Sequence, residues 1–326
     1  ALSMQPFFFQ PLLKSTLWGG QEIIRLKQIK TEAENVGESW ELSGVAGAAT
    51  HVSEGEDKGL TICDLIDRYG AELVGQKNFS RFGNKFPLLV KFISAAQDLS
   101  IQVHPNDEIA HKMGHPYGKS EMWFIVGAPE ETQLYMGFDH PLTPELYEKA
   151  LLEGNFLDLL HTQPSAAGDC FFIPAGRIHS IGAGNLLIEI QQASDDTFRV
   201  YDFDRIGKDG KKRELHTEQA KMALNFNDCR PDPVAYDQAW NKRVPLVRCS
   251  AFSTRLGRLN QPFHAGYSDL DSFVVLVAYE GAAVCTDNFG NRFTLQAGAS
   301  VLLPATTQYL EIEPKASFAF MEAFVE

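Results

Sequence analysis

No stretch of the chain runs to the roughly 18 uncharged apolar positions that a bilayer-spanning helix requires, so no membrane span is expected. Sulfur is scarce as well. The five cysteines, Cys63, Cys170, Cys229, Cys249 and Cys285, are odd in number, far apart and without a CxxC pair. That pattern argues against a disulfide framework and against a thiolate zinc site, and it reads as reduced thiols in a cytoplasmic protein. Positive charge is in the minority: 29 Lys and Arg stand against 42 Asp and Glu, for a formal net charge of -13. Nucleic acid and anionic membrane are therefore poor partners, and an anionic ligand would need a locally positive pocket. No secretory leader is expected, because Phe7, Phe8 and Phe9 form too short an apolar run. Ala1, Leu2 and Ser3 precede Met4 and read as an addition ahead of a start residue.

What is present is an ordinary globular balance, 44% hydrophobic and 22% charged over 326 residues, enough for two domains. Residues 38–45 alternate as a strand, and Trp18 and Trp40 read as core residues. Helical spacing appears over 61–73 (Ile62, Leu65, Ile66, Tyr69, Leu73), with Gly75 as its stop. Residues 86–94, FPLLVKFIS, read as a buried strand holding one lysine, Lys91; a bare buried ammonium is costly, so it either snorkels outward or points into a polar cavity, and we take the cavity because the metal-binding strand follows directly. Thr143-Pro144-Glu145 opens a helix, residues 156–160 resume its apolar face, and strands follow at 169–174, 186–191 and 197–203. The run 208–213, KDGKKR, reads as a solvated charged turn, and 217–224 as a short helix. Pro231-Asp232-Pro233 marks a linker, and from Val244 onward the pattern is short strands and turns.

The segment LSIQVHPNDEIAHKMGHPYGKSEMW, 99–123, organises the chemistry. In a strand, residues i and i+2 share a face, so Gln102 pairs with His104, and Lys119 with Glu121. AGDCFFIPAGRIHS adds His179. Two imidazoles, one carboxylate and one amide oxygen make a tetrahedral set suited to zinc. His111 and His115 fall on a short helix and loop after Pro105, with Asn106 or Asp107 as cap, and read as surface histidines outside the metal set.

Two segments match at an offset of 130 residues: Ala167-Gly168 through Ile173-Pro174-Ala175, and Ala297-Gly298 through Leu303-Pro304-Ala305. The match suggests two copies of one β unit. His179 aligns with Tyr309 and Glu121 falls near Ser272, so the second copy is expected to be metal-free and structural.

The GD-x4-PAG-x2-H arrangement resembles the cupin superfamily. The stretches QVHPND, GKSEMWFI, IPAGRIHSI and LLIEIQQASDDTFRVYDFDR are similar to type I phosphomannose isomerase in its shorter bacterial form. The resemblance implies a mainly β protein of two cupin-like jelly-roll barrels with a small helical insertion. Residues 1–235 would be the catalytic zinc-binding domain, and 236–326 a degenerate metal-free one. It also implies one Zn2+ held by Gln102, His104, Glu121 and His179, and interconversion of mannose 6-phosphate and fructose 6-phosphate through a cis-enediolate. Arg199 matches the family's catalytic arginine, and Glu189 and Asp195 match acidic pocket positions. Lys119, beside the metal, would have its pKa lowered toward that of a usable base. Ser100, Lys91 and Arg177 are the candidates for holding phosphate. The expected partner is a small sugar phosphate, with neither nucleic acid nor membrane, in a monomer or homodimer. Three alternatives remain at this point: a sugar-sensing cupin without turnover, an iron cupin oxygenase, and an isomerase acting on an unphosphorylated sugar.

Overall fold

A computed structural model describes residues 4–326; Ala1, Leu2 and Ser3 lie outside the described residues. The architecture is mainly β, with strand ladders that run antiparallel. A six-stranded sheet has the order Cys170–Ile173, Glu121–Gly127, Leu186–Gln192, Leu88–Ser94, Val36–Leu42, Leu12–Gly20. A five-stranded sheet has the order Phe198–Tyr201, Ile101–Val103, His179–Ile181, Gln133–Phe138, Leu160–Pro164. Their inner faces meet in one apolar cluster, Ile93, Trp123, Ile125 and Leu187 from the first sheet against Leu134, Met136 and Ile181 from the second. This is the face-to-face packing that buries alternate residues of each strand.

Strand Leu88–Ser94 is buried along its whole length because both of its faces are covered. Its outward residues Val90 and Phe92 join Met122, Phe124, Ile188 and Ile190 in a larger core. That core also takes Val275, Val277, Met321 and Ala323 from a third sheet of seven strands, whose centre is formed by Tyr309–Phe324 and Val274–Asp287. Each fully buried side chain of this size contributes about 1.5–3 kcal/mol, so the two halves of the chain stabilise one another through this shared layer. The segment 231–233 does lie in an irregular connection, but that connection is fastened: Val234 N donates to Cys170 O at 2.8 Å.

Several elements differ from expectation. The helix over 61–73 breaks into Ile62–Tyr69 and Ala71–Val74, because Gly70 sits at φ 56°, outside the helical region. Thr61 and Asp64 form a reciprocal capping box at its start. Residues Phe156–Leu159 form a 3-10 turn that leads into strand Leu160–Pro164 instead of prolonging the helix Pro144–Glu153. The five cysteines are all free thiols. No helix among the described residues is long and apolar enough to cross a membrane.

The 130-residue repeat is also a repeat of strand pairing. Cys170–Ile173 pairs with Glu121–Gly127 so that Ile173 faces Glu121, and Ser300–Leu303 pairs with Val274–Asp287 so that Leu303 faces Val274. Glu121 therefore corresponds to Val274, two residues beyond the expected Ser272. The same register equates Glu189, opposite Trp123, with Glu322, opposite Leu276. It equates Lys91, opposite Glu189, with Arg255, opposite Glu322. The second unit thus keeps a buried ionic row: Arg255 Nε donates to Glu322 at 3.1 Å, and Arg243 Nη1 lies 3.5 Å from the same carboxylate.

Candidate metal centre and active-site cavity

Three strands present donors to one point between the facing sheets. His179 is in register with Gln102, and Gln102 with Arg199, so these three side chains form a row across the five-stranded sheet. His104 follows Gln102 by two residues and shares its direction, while Glu121 approaches from the opposite sheet. Among the described residues, His104, Glu121 and His179 bring one ligand atom each to within 4.8 Å of one another. Glu121 Oε1 lies 3.5 Å from His104 Nε2 and 3.2 Å from His179 Nε2.

The tautomers are fixed by the backbone. His104 Nδ1 contacts the Asp196 carbonyl at 3.0 Å and His179 Nδ1 the Arg177 carbonyl at 2.9 Å. Each Nδ1 therefore carries a proton and each Nε2 presents a lone pair. Burial, aided by the Lys119 charge, pulls the His104 pKa down to about 3, so this imidazole is neutral. Burial alone would raise the Glu121 carboxyl, but the groups facing it, with the Lys119 ammonium 3.9 Å away, hold it well below the usual carboxylate range. His104 Nε2, His179 Nε2 and Glu121 Oε2 are buried without a hydrogen-bond partner. Buried lone pairs that face each other are costly, and a divalent cation at their centre satisfies all three. The set fits a borderline metal by donor type. Gln102 stands beside it, its amide nitrogen donating to the Ser100 carbonyl at 3.2 Å, which leaves its amide oxygen as a further donor.

The donors open into a cavity of about 260 Å³. Lys91, Ser100, Gln102, His104, Lys119, Glu121, His179, Glu189, Asp195 and Arg199 all line it, as do Trp18, Trp123 and Glu38. Lys119 Nζ lies 3.9 Å from Glu121 Oε2. Lys91 points into this space and not to solvent, but it is already neutralised: Glu38 lies 2.9 Å from its ammonium and Glu189 3.7 Å. Burial lowers the Lys91 pKa, but these two carboxylates more than reverse it and push it above the ordinary lysine value. Burial and the Glu121 charge push Glu189 up to about 7, although it accepts from Trp123 Nε1 at 2.9 Å. Arg199 is oriented from the backbone, with Nη1 donating to Glu214 O at 3.0 Å and its own amide to His216 Nδ1 at 3.1 Å.

Two sequence expectations are corrected here. Arg177 does not line the cavity; its guanidinium is held by Asp228 at 2.8 Å and by the Phe172 carbonyl at 2.6 Å. The run 208–213 is not simply solvated, because its last residue, Arg213, lines the cavity and is clamped by Asp202 at 2.6 and 2.9 Å. Glu38 was missed as well, though the buried Lys91 demanded a carboxylate partner. Arg213 left no comparable signal.

The catalytic-domain model of type I phosphomannose isomerase matches residues 7–126. The mannose-6-phosphate isomerase ManA of Bacillus subtilis (strain 168) is 31% identical over 284 residues, 86% of this chain and 87% of that one. The chain belongs to the type I phosphomannose isomerase family. A mannose-6-phosphate isomerase of Streptococcus mutans is 35% identical over 222 residues, 68% of each chain. Among solved phosphomannose isomerases, the mannose 6-phosphate isomerase crystal structure from Bacillus subtilis superposes with a TM-score of 0.88 at 26% identity, over 98% of this chain and 99% of that one. The likeness therefore spans both halves of the phosphomannose isomerase chain, including the half that holds no cluster of metal-type donors among its described residues.

Proposed function

We propose that the cavity interconverts mannose 6-phosphate and fructose 6-phosphate, with one zinc ion held by Gln102, His104, Glu121 and His179. Residues 1–235 carry the chemistry in this reading, and 236–326 support it. The observation that carries the reading is the set of three buried, partnerless donors opening into one cavity with Lys119 and Arg199. When bound, the metal would supply Lewis acidity and a net charge of about +1 after Glu121 is counted.

The chain's own groups divide the remaining work. Glu189 and Asp195 handle the hydroxyl proton that moves as the sugar ring opens, a role suited to a carboxyl with a pKa of about 7. Lys119 takes the proton from C2 of the open aldose, and the electron pair of that bond passes into a C1–C2 enediolate. The same ammonium returns the proton to C1, while the O2 hydroxyl proton passes to O1, so that C2 becomes the ketone carbonyl and C1 a CH2OH group. Arg199 keeps its charge throughout and faces the oxyanion.

The phosphate is held by Ser100 together with Arg213, which lines the cavity and shares its one carboxylate, Asp202, with Arg205, rather than by Lys91, which lies between two carboxylates, or by Arg177, which lies outside the cavity. Arg213 also borders an outer recess, in which Lys208 stands with Glu32 and Glu34. The test is a coupled assay on mannose 6-phosphate beside free mannose, with metal content measured on the same sample before and after chelation. Turnover of the phosphorylated sugar that is lost on chelation and restored by zinc supports the reading. Full activity in metal-free protein, or oxygen consumption with iron loaded, overturns it.

A further inference from the structure

The residues 105–118 leave the metal-binding strand after His104 and return just before Lys119. Both ends of this excursion are closed on each other: Lys119 N donates to Pro105 O at 3.0 Å, and Gly118 N to Asp107 Oδ1 at 2.7 Å. A Cβ on Gly118 would come within 2.6 Å of the Asn106 carbonyl carbon, so only glycine allows this closure. The helix Asp107–Lys112 is capped by Asn106, and the turn after it is tied down where His111 Nε2 meets the Pro116 carbonyl at 2.9 Å.

This excursion packs on a second irregular segment, 193–197. One side is joined through Gln192, which donates to Asp107 at 3.1 Å and accepts from Ser120 N at 2.8 Å. The other side is joined by a single side-chain pair, His115 Nδ1 with Asp196 Oδ2. Asp196 is also the residue whose carbonyl accepts from His104 Nδ1, and its neighbours Asp195 and Thr197 both line the cavity. Within the segment, Asp196 N donates to Ser194 Oγ at 3.1 Å, and Ser194 O accepts from Gln191 at 2.7 Å. These bonds fix the first half of the segment. Beyond them, the His115 contact is the side-chain tie on Asp196 before pairing resumes at Phe198.

We propose that His115 is a positioning residue for the metal centre: by holding the Asp196 side chain, it fixes the Asp196 carbonyl that sets the tautomer and direction of His104. It touches neither metal nor sugar, and it lies 45% exposed at its side chain, so removing it creates no cavity in the core. The inference rests on the ligand reading of His104 given above. Removing an outer contact to a ligating histidine weakens metal binding by about 10–100-fold, and a contact one step further out acts at or below the low end of that range.

Zinc affinity is measured on the full chain by competition with a fluorescent chelator, for wild type, H115A, H115N, D196A and the double variant H115A/D196A. H115A and D196A should each weaken zinc by about 3–10-fold. Asn reproduces the position of Nδ1 and should recover most of the loss in H115N. The double variant should be no worse than either single change, as expected of two residues acting through one contact. Wild-type affinity in H115A, failure of H115N to recover a loss, or additive losses in the double variant overturns the proposal. If wild type binds zinc without isomerising mannose 6-phosphate while H115A still weakens the metal, the function falls and the positioning role stands. If wild type isomerises and H115A binds zinc normally, the reverse holds.

Discussion

Lys91 offers the most direct check on the electrostatics of the cavity. The variant Lys91→Met keeps the aliphatic volume and removes the ammonium from between two carboxylates, 2.9 Å from Glu38 and 3.7 Å from Glu189. At an effective dielectric of about 20, these contacts attract by about 6 and about 4 kcal/mol. Much of that offsets the desolvation of three ions, so the pair in place adds little net stability. Breaking it is another matter, because a buried carboxylate without its counter-charge costs about 3–5 kcal/mol. With an unfolding entropy of about 2.1 cal/mol/K per residue, that loss lowers the melting temperature by about 4–7 °C.

The pH dependence follows from Glu189. Its folded pKa, about 7, lies above its ordinary value of 4.5, so the folded chain retains a proton that the unfolded chain has released. Wild-type stability therefore falls as pH rises through that window and levels off above it. Without the Lys91 ammonium, Glu189 must stay protonated to a higher pH, and Glu38 loses the charge that held its pKa down. The deficit of K91M against wild type should widen between about pH 6 and about pH 8.5. Urea unfolding at the two pH values, on metal-stripped protein, measures it. A loss below about 1 kcal/mol, or one that is the same at both pH values, would refute the view that these three groups compensate one another.

Other outcomes can be stated more briefly. Lys119→Met should leave zinc content at the wild-type level and reduce turnover by at least about 100-fold, the lower end of what proton transfer by a placed side chain contributes; near-normal kcat removes Lys119 from the chemistry. Arg213→Ala should raise KM for mannose 6-phosphate by about 10-fold or more, as the loss of a charge-assisted contact does, with little change for free mannose. Arg177→Ala should leave KM unchanged and lower the melting temperature, because its partners Asp228 and Phe172 are structural; an effect on KM would return it to the substrate site.

What could be read from the sequence, and what could not, divides along physical lines. Gln102 with His104 and Lys119 with Glu121 were legible because a strand's period of two puts each pair on one face, and the motifs around them are dense. The direction of Lys91 was legible because an ammonium within an apolar run requires a polar cavity or a route to water. Arg213 was not. It follows an irregular segment, and its position depends on the Asp202 carboxylate eleven residues earlier, which also binds Arg205, so no periodicity announces it. The break at Gly70 depends on one backbone dihedral that hydrophobic spacing does not encode. The match of Glu121 to Ser272 missed by two residues because register is set by cross-strand hydrogen bonding, which pairs Glu121 with Ile173 and Val274 with Leu303, and not by local likeness. His115 looked like any surface histidine, since its partner lies 81 residues away.

The Arg255–Glu322 couple, standing where Lys91 and Glu189 stand in the other half, has a consequence for how this family is mined and redesigned. A pair of opposite charges can persist at these strand positions where the matching donor places hold valine and tyrosine in place of a carboxylate and an imidazole. Persistence of Lys91 and Glu189 across relatives is therefore no proof that either takes part in turnover. Conversely, a designer who wished to plant a second ion in this chain would find the electrostatic floor already laid, and would begin at Val274 and Tyr309.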